Sequence, residues 1–464
     1  MSATEPEATP RELEPPQPVV FDAAPPPSLG TGSAARLLAE GAGLVFGTLA
    51  AVITARWLGP DGKGVIATLT FMAALFGRAA TLGLGEAGIV MVGRGTVSKQ
   101  GAVSANLAAV IVSTVPAAAL FAIVAVLQVG PDSTSLWVAV AVVAATVPAA
   151  AVQDIVGHAL TIQERIVAAS VVALATAGAI VLALLLLVIV LDLGIPGAAA
   201  SSLAGIAVGL TLAGVLAGRN LRLLPRWSPA YLRKAVPYGL RLEVSYAVMF
   251  LAGRFDLLLV FSLIGAAAAG QFSVALTAAS IAGLAPFAVS YAAFPRVAYA
   301  DEPTAFALTR MAARRGLAAS LLVALVLGGL SPVAVPFVFG SDFEPAVAPI
   351  FILLVGTLAG GVQWMLARAA ASRGNPALLL RSFGLTLVSM IALDFALIPE
   401  LELIGAAIAS LTGNLLGLLV CTRHYSRHGL SARDLIPSGS DFKALWDLGV
   451  ALAKARFGGA PVDE

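Results

Sequence analysis

Eleven ionisable side chains fall inside stretches otherwise built of Ala, Val, Leu, Ile and Gly: Arg36, Glu40, Arg78, Glu86, Asp154, Arg241, Glu243, Arg254, Asp256, Arg368 and Asp394. A charge in such surroundings costs about 2.5–3.5 kcal/mol on insertion scales and normally faces a partner or a polar cavity. Arg36 and Glu40 are one helical turn apart and can pair with each other. Arg241 and Glu243 lie early in their stretch and Asp394 near the end of another, where local pairing or snorkelling suffices. Arg78 has no such exit, because Phe76, Gly77, Ala79 and Ala80 surround it deep within an apolar run. Arg254 lies at a comparable depth, and Arg368 in the inner third of its run. Guanidinium stays charged and presents forked donors that match phosphate oxygens. Arg78 and Arg254 are therefore either contacts for a phosphorylated headgroup or halves of ion pairs with Glu86 and Asp256. Gln153, Asp154, Gln363 and Trp364 are candidates for a sugar path, since amides, carboxylates and ring faces hold glycans. Interhelical hydrogen bonding is the equal alternative for the two glutamines. The three histidines, His158, His424 and His428, lack metal-ligand spacing, and the lone Cys421 excludes an internal disulfide. No metal centre or cofactor is expected.

These residues need a scaffold that is itself mostly apolar. Charged residues make up 12% of the 464, against roughly 25% in a soluble domain. The apolar share is 59% and the mean hydropathy is +0.94. About twelve runs reach the roughly 20 residues needed to span a hydrocarbon core. They are read at about Ala34–Trp57, Gly64–Val92, Val103–Leu127, Ser135–His158, Ile166–Leu191 and Pro196–Ala217 in the first half. The second half gives Val236–Val260, Ala267–Ala293, Gly316–Phe339, Pro345–Ala370, Pro376–Leu397 and Ile404–Cys421. Barrel-type alternation is missing, so the expected fold is all-α: a polytopic membrane protein of about twelve transmembrane helices. Pro116, Pro148, Pro286 and Pro332 fall inside spans, where kinks or wet sites are expected.

Basic residues concentrate in alternate connections and both tails, for example Arg94, Lys99, Arg165, Arg219, Arg222, Arg226, Arg314, Arg315 and Arg423. The other connections hold Lys63, with Arg56 at a helix end, and are otherwise acidic or neutral. The positive-inside rule then puts both termini in the cytoplasm. Residues 1–32, rich in Pro and Glu, are expected to be a disordered cytoplasmic tail. Residues 33–217 form a first lobe and 236–424 a second. Residues 218–235 form a cytoplasmic amphipathic linker with Ser228 as N-cap and Pro229 at the first helical position. In the tail 425–464, Phe442, Leu445, Trp446, Gly449, Leu452 and Ala453 share one face of an interfacial helix.

The halves repeat one another. Gly197 to Gly205 matches Gly405 to Gly413 at six of nine positions with an offset of 208; Leu58-Gly59 and Gly64 answer to Ile264-Gly265 and Gly270 at 206; Val152-Gln153 answers to Val362-Gln363 at 210. Each half holds an even number of spans, so the copies share one orientation about a pseudo-two-fold along the membrane normal.

Several motifs carry a family resemblance. They are Ala55-Arg56-Trp57-Leu58-Gly59-Pro60-Asp61-Gly62-Lys63-Gly64, Leu82-Gly83-Leu84-Gly85, Phe339-Gly340-Ser341-Asp342-Phe343-Glu344-Pro345-Ala346, and Leu397-Ile398-Pro399 followed by Gly405-Ala406-Ala407-Ile408-Ala409. In their order and spacing the chain resembles the polysaccharide-flippase branch of the superfamily that also holds the MATE exporters and the lipid II flippases. The resemblance implies two six-helix lobes in a V. It also implies alternating access that moves an undecaprenyl-diphosphate-linked oligosaccharide across the bacterial cytoplasmic membrane for cell-envelope or exopolysaccharide synthesis. Many relatives have Asp then Arg in helix seven; here Arg254 precedes Asp256. The expected partners are the lipid-linked oligosaccharide, membrane lipids, a polysaccharide polymerase and glycosyltransferases, with no nucleic acid. Two alternatives stand beside a non-enzymatic flippase. One is a cation-coupled multidrug exporter of the same superfamily, which would want a buried carboxylate in the outer half of the first lobe. The other is a membrane glycosyltransferase or polymerase, which would want catalytic acids in a sizeable outer loop.

Overall fold

The computed structural model describes residues 31–130 and 132–447, and among them the chain is all-helical with no strand. In order run α1 (Thr31–Thr81), α2 (Leu84–Gly93), α3 (Lys99–Val129), α4 (Thr134–Ile162), α5 (Ile166–Leu184), α6 (Gly194–Gly218), α7 (Pro229–Ala252), α8 (Phe255–Leu263), α9 (Ala266–Tyr299), α10 (Glu302–Phe339), α11 (Val347–Ser372) and α12 (Ala377–Ser426). A straight helix the length of α1 would reach about 76 Å, more than twice a hydrocarbon core. It is broken at Gly59, whose φ of 67° and ψ of −176° are open essentially to glycine alone. Pro60, fixed near helical φ and with no N–H to satisfy, restarts the helix. Glu402 breaks α12 in the same manner with φ 50°. Among the described residues nine helices are long and apolar enough to cross a bilayer, or ten when α7 and α8, bent by 49°, count as one span. Dividing α1 at Gly59 and α12 at Glu402 gives twelve. The protein is an all-α polytopic membrane protein, and the even count puts both described ends on one side, here called the terminal face; the opposite side is the far face.

The breaks differ from those expected. The helices continue through Pro116, Pro148, Pro286 and Pro332. Proline forfeits one hydrogen bond yet keeps a helical φ, whereas Gly59, Gly83 and Gly265 take left-handed dihedrals that no helix accommodates. The expected span Gly64–Val92 is cut at Leu82 (φ 53°) and Gly83 (φ 64°), which separates α2 from α1. The expected amphipathic linker is not a separate element, because α7 starts at Pro229 and runs without interruption into the apolar region.

Residues 1–30 and 448–464 lie outside the described residues, and with them the expected disordered tail and the last part of the interfacial helix. Residues 439–447 are helical, with Trp446 exposed and Asp441 buried. This segment folds back on the terminal end of α10. Asp441 pairs with Arg314 at 2.6 Å, and Asp434 with Arg310 at 3.2 Å. Burial works to raise the Asp441 carboxyl, but the Ser438 N–H and hydroxyl and the Arg314 guanidinium outweigh it and hold the group below its ordinary value of 3.8. A depressed carboxyl stabilises the docked segment above its unfolded value, and that contribution is lost as pH falls through the folded one. Proteolysis after residue 430 should therefore accelerate below about pH 3.8, and Asp441→Asn should be cut rapidly at neutral pH as well.

The duplication is visible as repeated contacts. Gln153 donates to the Thr176 hydroxyl at 2.8 Å and Gln363 to the Thr386 hydroxyl at 3.2 Å. Each pair lies against a glycine, Gly209 or Gly417, where a methyl would overlap both side chains. Across the molecule, a methyl on Gly64 would overlap the Ala266 carbonyl oxygen, and one on Gly270 the Pro60 carbonyl oxygen. Since Pro60 and Gly64 correspond to Ala266 and Gly270, each element meets the other's counterpart. Such a self-complementary seam is what a two-fold axis produces. Further contacts join the halves at the far face: Arg56 Nε donates to the Val338 carbonyl at 2.8 Å, and Gln128 bonds the Ser262 hydroxyl and the Leu258 carbonyl.

Candidate functional site

A cleft of about 430 Å³ lies between the halves, lined by both arms of α1, by α5, α6 and α9, and by the α7–α8 hinge. A second space of about 370 Å³, between α7, α9, α11 and α12, shares Phe250, Arg254 and Ser280 with the first, so the two adjoin at the hinge and are taken together as the central cavity. Its wall is rich in hydroxyls, among them Thr54, Thr70, Ser201, Ser273, Thr277 and Ser280. Rings supply the rest: Phe71 stacks on Phe250 with centroids 5.2 Å apart, and Phe287 on Trp364 at 4.8 Å. The Trp364 indole N–H is buried with no hydrogen-bond partner among the described residues.

Among the described residues two cations and no carboxylate line this cavity. Arg254 stands where α7 ends and α8 begins, with a non-helical φ of −155° that turns the chain at the hinge. Asp256 attracts it electrostatically, but no carboxylate of the described residues comes within 4 Å of its guanidinium. Lys63 is the second cation. The sequence places it in an outer connection, yet the turn closes at Gly59, so Lys63 already lies a turn inside the second arm of α1. It is 8% exposed and donates to the Thr54 hydroxyl at 3.0 Å. The sequence signal that could have found it is the Gly59-Pro60 pair, which fixes the turn four residues before Lys63.

Asp256 is not in the cavity wall. It is buried behind Arg254 and accepts from the Ser410 hydroxyl at 2.6 Å and the Leu257 N–H at 2.9 Å. Ser410 also approaches Met390 Sδ at 3.6 Å. One turn beyond Met390 on α12 is Asp394, fully buried, with no hydrogen-bond partner on either oxygen among the described residues. The interfacial position read for Asp394 from the sequence is thus corrected, because the break at Glu402 lengthens α12 beyond it.

Arg78 takes another role. Its Nε meets Glu243 Oε1 at 3.0 Å and its Nη2 meets Oε2 at 3.4 Å, a forked pair from α1 to α7 across the two halves. The Tyr246 ring lies 5.9 Å from its carbon. The partner is therefore Glu243, rather than the Glu86 suggested by sequence proximity, and Glu243 is not paired with Arg241. Glu86 and Asp154 instead flank His158, at 3.7 and 3.3 Å. All but the histidine line a separate space of about 220 Å³. Beside it, Gly83 and Gly239 cross so closely that a methyl on either would overlap the other's backbone. Next to this crossing the Tyr231 hydroxyl donates to Asn106 Oδ1, and Asn106 Nδ2 to the Leu84 carbonyl. The left-handed Leu82, costing about 1–2 kcal/mol, bends the chain so that α2 can reach α7. Gln153 and Gln363 make the interhelical hydrogen bonds, to Thr176 and Thr386, that stand as the alternative reading of these two residues. Arg368 lies over the Trp364 ring at 5.2 Å.

No family model matches the sequence, and no curated protein matches it. Solved structures do. An inward-facing multidrug-resistance MATE family transporter of the MOP superfamily superposes with a TM-score of 0.65 over 83% of this chain and 94% of that one, at 16% identity. The lipid II flippase MurJ in an inward closed conformation gives 0.66 over 87% and 88%, at 14% identity. This is the MATE-like fold. A MOP superfamily transporter from Pyrococcus furiosus gives 0.60 over 86% and 95%, at 13% identity. In this chain the MATE-like fold brings Arg254, Lys63 and Trp364 to one central cavity and leaves Arg78 at the crossing of α2 and α7.

Proposed function

We propose that the protein is a flippase for a lipid-linked oligosaccharide of the undecaprenyl-diphosphate type. In this reading both termini are cytoplasmic, and the substrate crosses the cytoplasmic membrane of a bacterium. The observation that carries the proposal is the sign of the central cavity, which presents Lys63 and Arg254 without a carboxylate. A buried lysine and an arginine with no carboxylate within 4 Å among the described residues, both facing an open space, want an anion; a diphosphate supplies the charge and accepts from both ammonium and guanidinium. Hydroxyls and the stacked Phe287–Trp364 pair suit the sugar that follows the phosphates. The basic terminal face and the alternation of charge along the sequence support the orientation. A cation exporter would want the opposite polarity in this cavity. The tight seam at the far face and the cavity's reach to Gly43 and Leu44 on the first arm of α1 support loading from the terminal side.

The test is flipping of a fluorescent lipid-diphosphate sugar in proteoliposomes. A charge-assisted bond is worth about 1.5–3 kcal/mol, so Lys63→Ala and Arg254→Ala should each slow flipping roughly 10- to 100-fold. Arg254→Lys should recover part of the rate, because it keeps the charge but loses the fork. Flipping at the parent rate in both alanine variants, or efflux of a cationic dye with no flipping by the parent, would remove the proposal.

A further inference from the structure

Away from the central cavity, the connection between α6 and α7 is held rigidly against the first turn of α3. Gln100 grips residue 222 from both sides: its amide donates to the Arg222 carbonyl at 2.5 Å, and its oxygen accepts from the Arg222 N–H at 2.8 Å. The Arg226 N–H donates to the Ser104 carbonyl at 3.0 Å. Leu221 is buried beneath. The result is a fixed hollow of about 900 Å³ whose wall includes Arg219, Arg222, Arg226 and Trp227.

Arg219, Arg222 and Arg226 give the lining of this one hollow three positive charges, which favour an anion there. Among the described residues none of the three has a carboxylate within 4 Å, and nearby Glu164 is engaged by Lys99 at 3.4 Å. The hollow also holds the start of α3, where Ser98 accepts from the Gly101 N–H and the helix presents its positive end. Its height is set by the apolar spans α3 and α6, which end here, so the site lies at the membrane–water boundary. Leu224 and Trp227 are 57% and 59% exposed beside the arginines, the pairing of acyl-facing rings and basic groups that belongs at a lipid headgroup.

We infer that this hollow binds the phosphodiester headgroup of an anionic bilayer lipid, at a site separate from the transport cavity. The chemistry recognised is a phosphate oxyanion, and the source is a lipid whose acyl chains pass Leu224 and Trp227.

The test uses the full chain in detergent, with phosphatidylglycerol, phosphatidylcholine or soluble glycerol 3-phosphate added, read by native mass spectrometry and by the thermal midpoint. Phosphatidylglycerol should remain bound and raise the midpoint, with phosphatidylcholine doing neither. In the triple variant Arg219→Gln/Arg222→Gln/Arg226→Gln retention should fall about 100-fold, each arginine at a headgroup contributing roughly a factor of five. The midpoint without lipid should stay at the parent value, since these side chains are exposed. A matched loss of charge on the same face, Arg423→Gln/Arg427→Gln/Arg433→Gln, should leave retention unchanged. Equal loss in that control, or parent-level retention in the first triple variant, overturns the site. A midpoint shift with glycerol 3-phosphate that phosphatidylglycerol cannot increase overturns the lipid as its source.

Discussion

Arg78→Ala is expected to lower stability by about 2–3 kcal/mol, less than the 3–5 of a fully buried pair because the Arg78 side chain is 39% exposed. The loss comes from the partner left behind. Glu243 is 5% exposed and Arg78 is its one ion-pair partner among the described residues, so without Arg78 its carboxylate is left largely buried and unpaired. Removing both groups should restore most of the stability, and a double-mutant cycle on thermal unfolding should return a coupling above about 1 kcal/mol. The pair also ties α1 to α7 across the halves, so its loss should part α2 from α7 and expose Gly83 and Gly239. A thiol introduced at the buried Ala235, one turn before Gly239 on α7, in a Cys421→Ala background would then label faster from the terminal face. Additive single effects with unchanged labelling would show the pair to be idle.

Gly64→Val should open the far face. The glycine's α-carbon faces the Ala266 carbonyl with no room for a side chain, and the obstacle is backbone rather than a movable rotamer. Overpacking of this kind costs about 1–3 kcal/mol, which favours a parted seam by roughly 5- to 150-fold. Thr54→Cys in a Cys421→Ala background reports it, since Thr54 is 4% exposed and lies in the cavity. An impermeant thiol reagent added at the far face should modify it quickly in the valine variant and slowly in the parent. Because the seam is self-complementary, Gly270→Val should produce the same gain. A drop in thermal midpoint without faster labelling, in either variant, would reduce the seam to ordinary packing.

What the sequence made legible follows from what each residue needs locally. The spans and the duplication could be read because hydropathy and small-residue spacing are properties of single helices. Pairing across the halves could not. Arg78 stands eight positions from Glu86 and 165 from Glu243, and only the approach of α2 to α7 decides between them. Lys63 reads as a connection residue because it follows Gly59, Pro60 and Asp61 in a polar stretch, while the turn itself takes one glycine and one proline. Asp256 and Arg254, two positions apart, point to different environments because the hinge between α7 and α8 separates them.

The uninterrupted course of α7 has a mechanical consequence. Twenty-four residues from Pro229 to Ala252 make a rod of about 36 Å, with its root in the aqueous boundary and Arg254 at its tip. A ten-degree tilt of that rod carries the tip, and the guanidinium with it, sideways by about 6 Å. Membrane thickness and lateral pressure, which set the tilt of any rod rooted at a surface, are thereby converted into the position of a single charge.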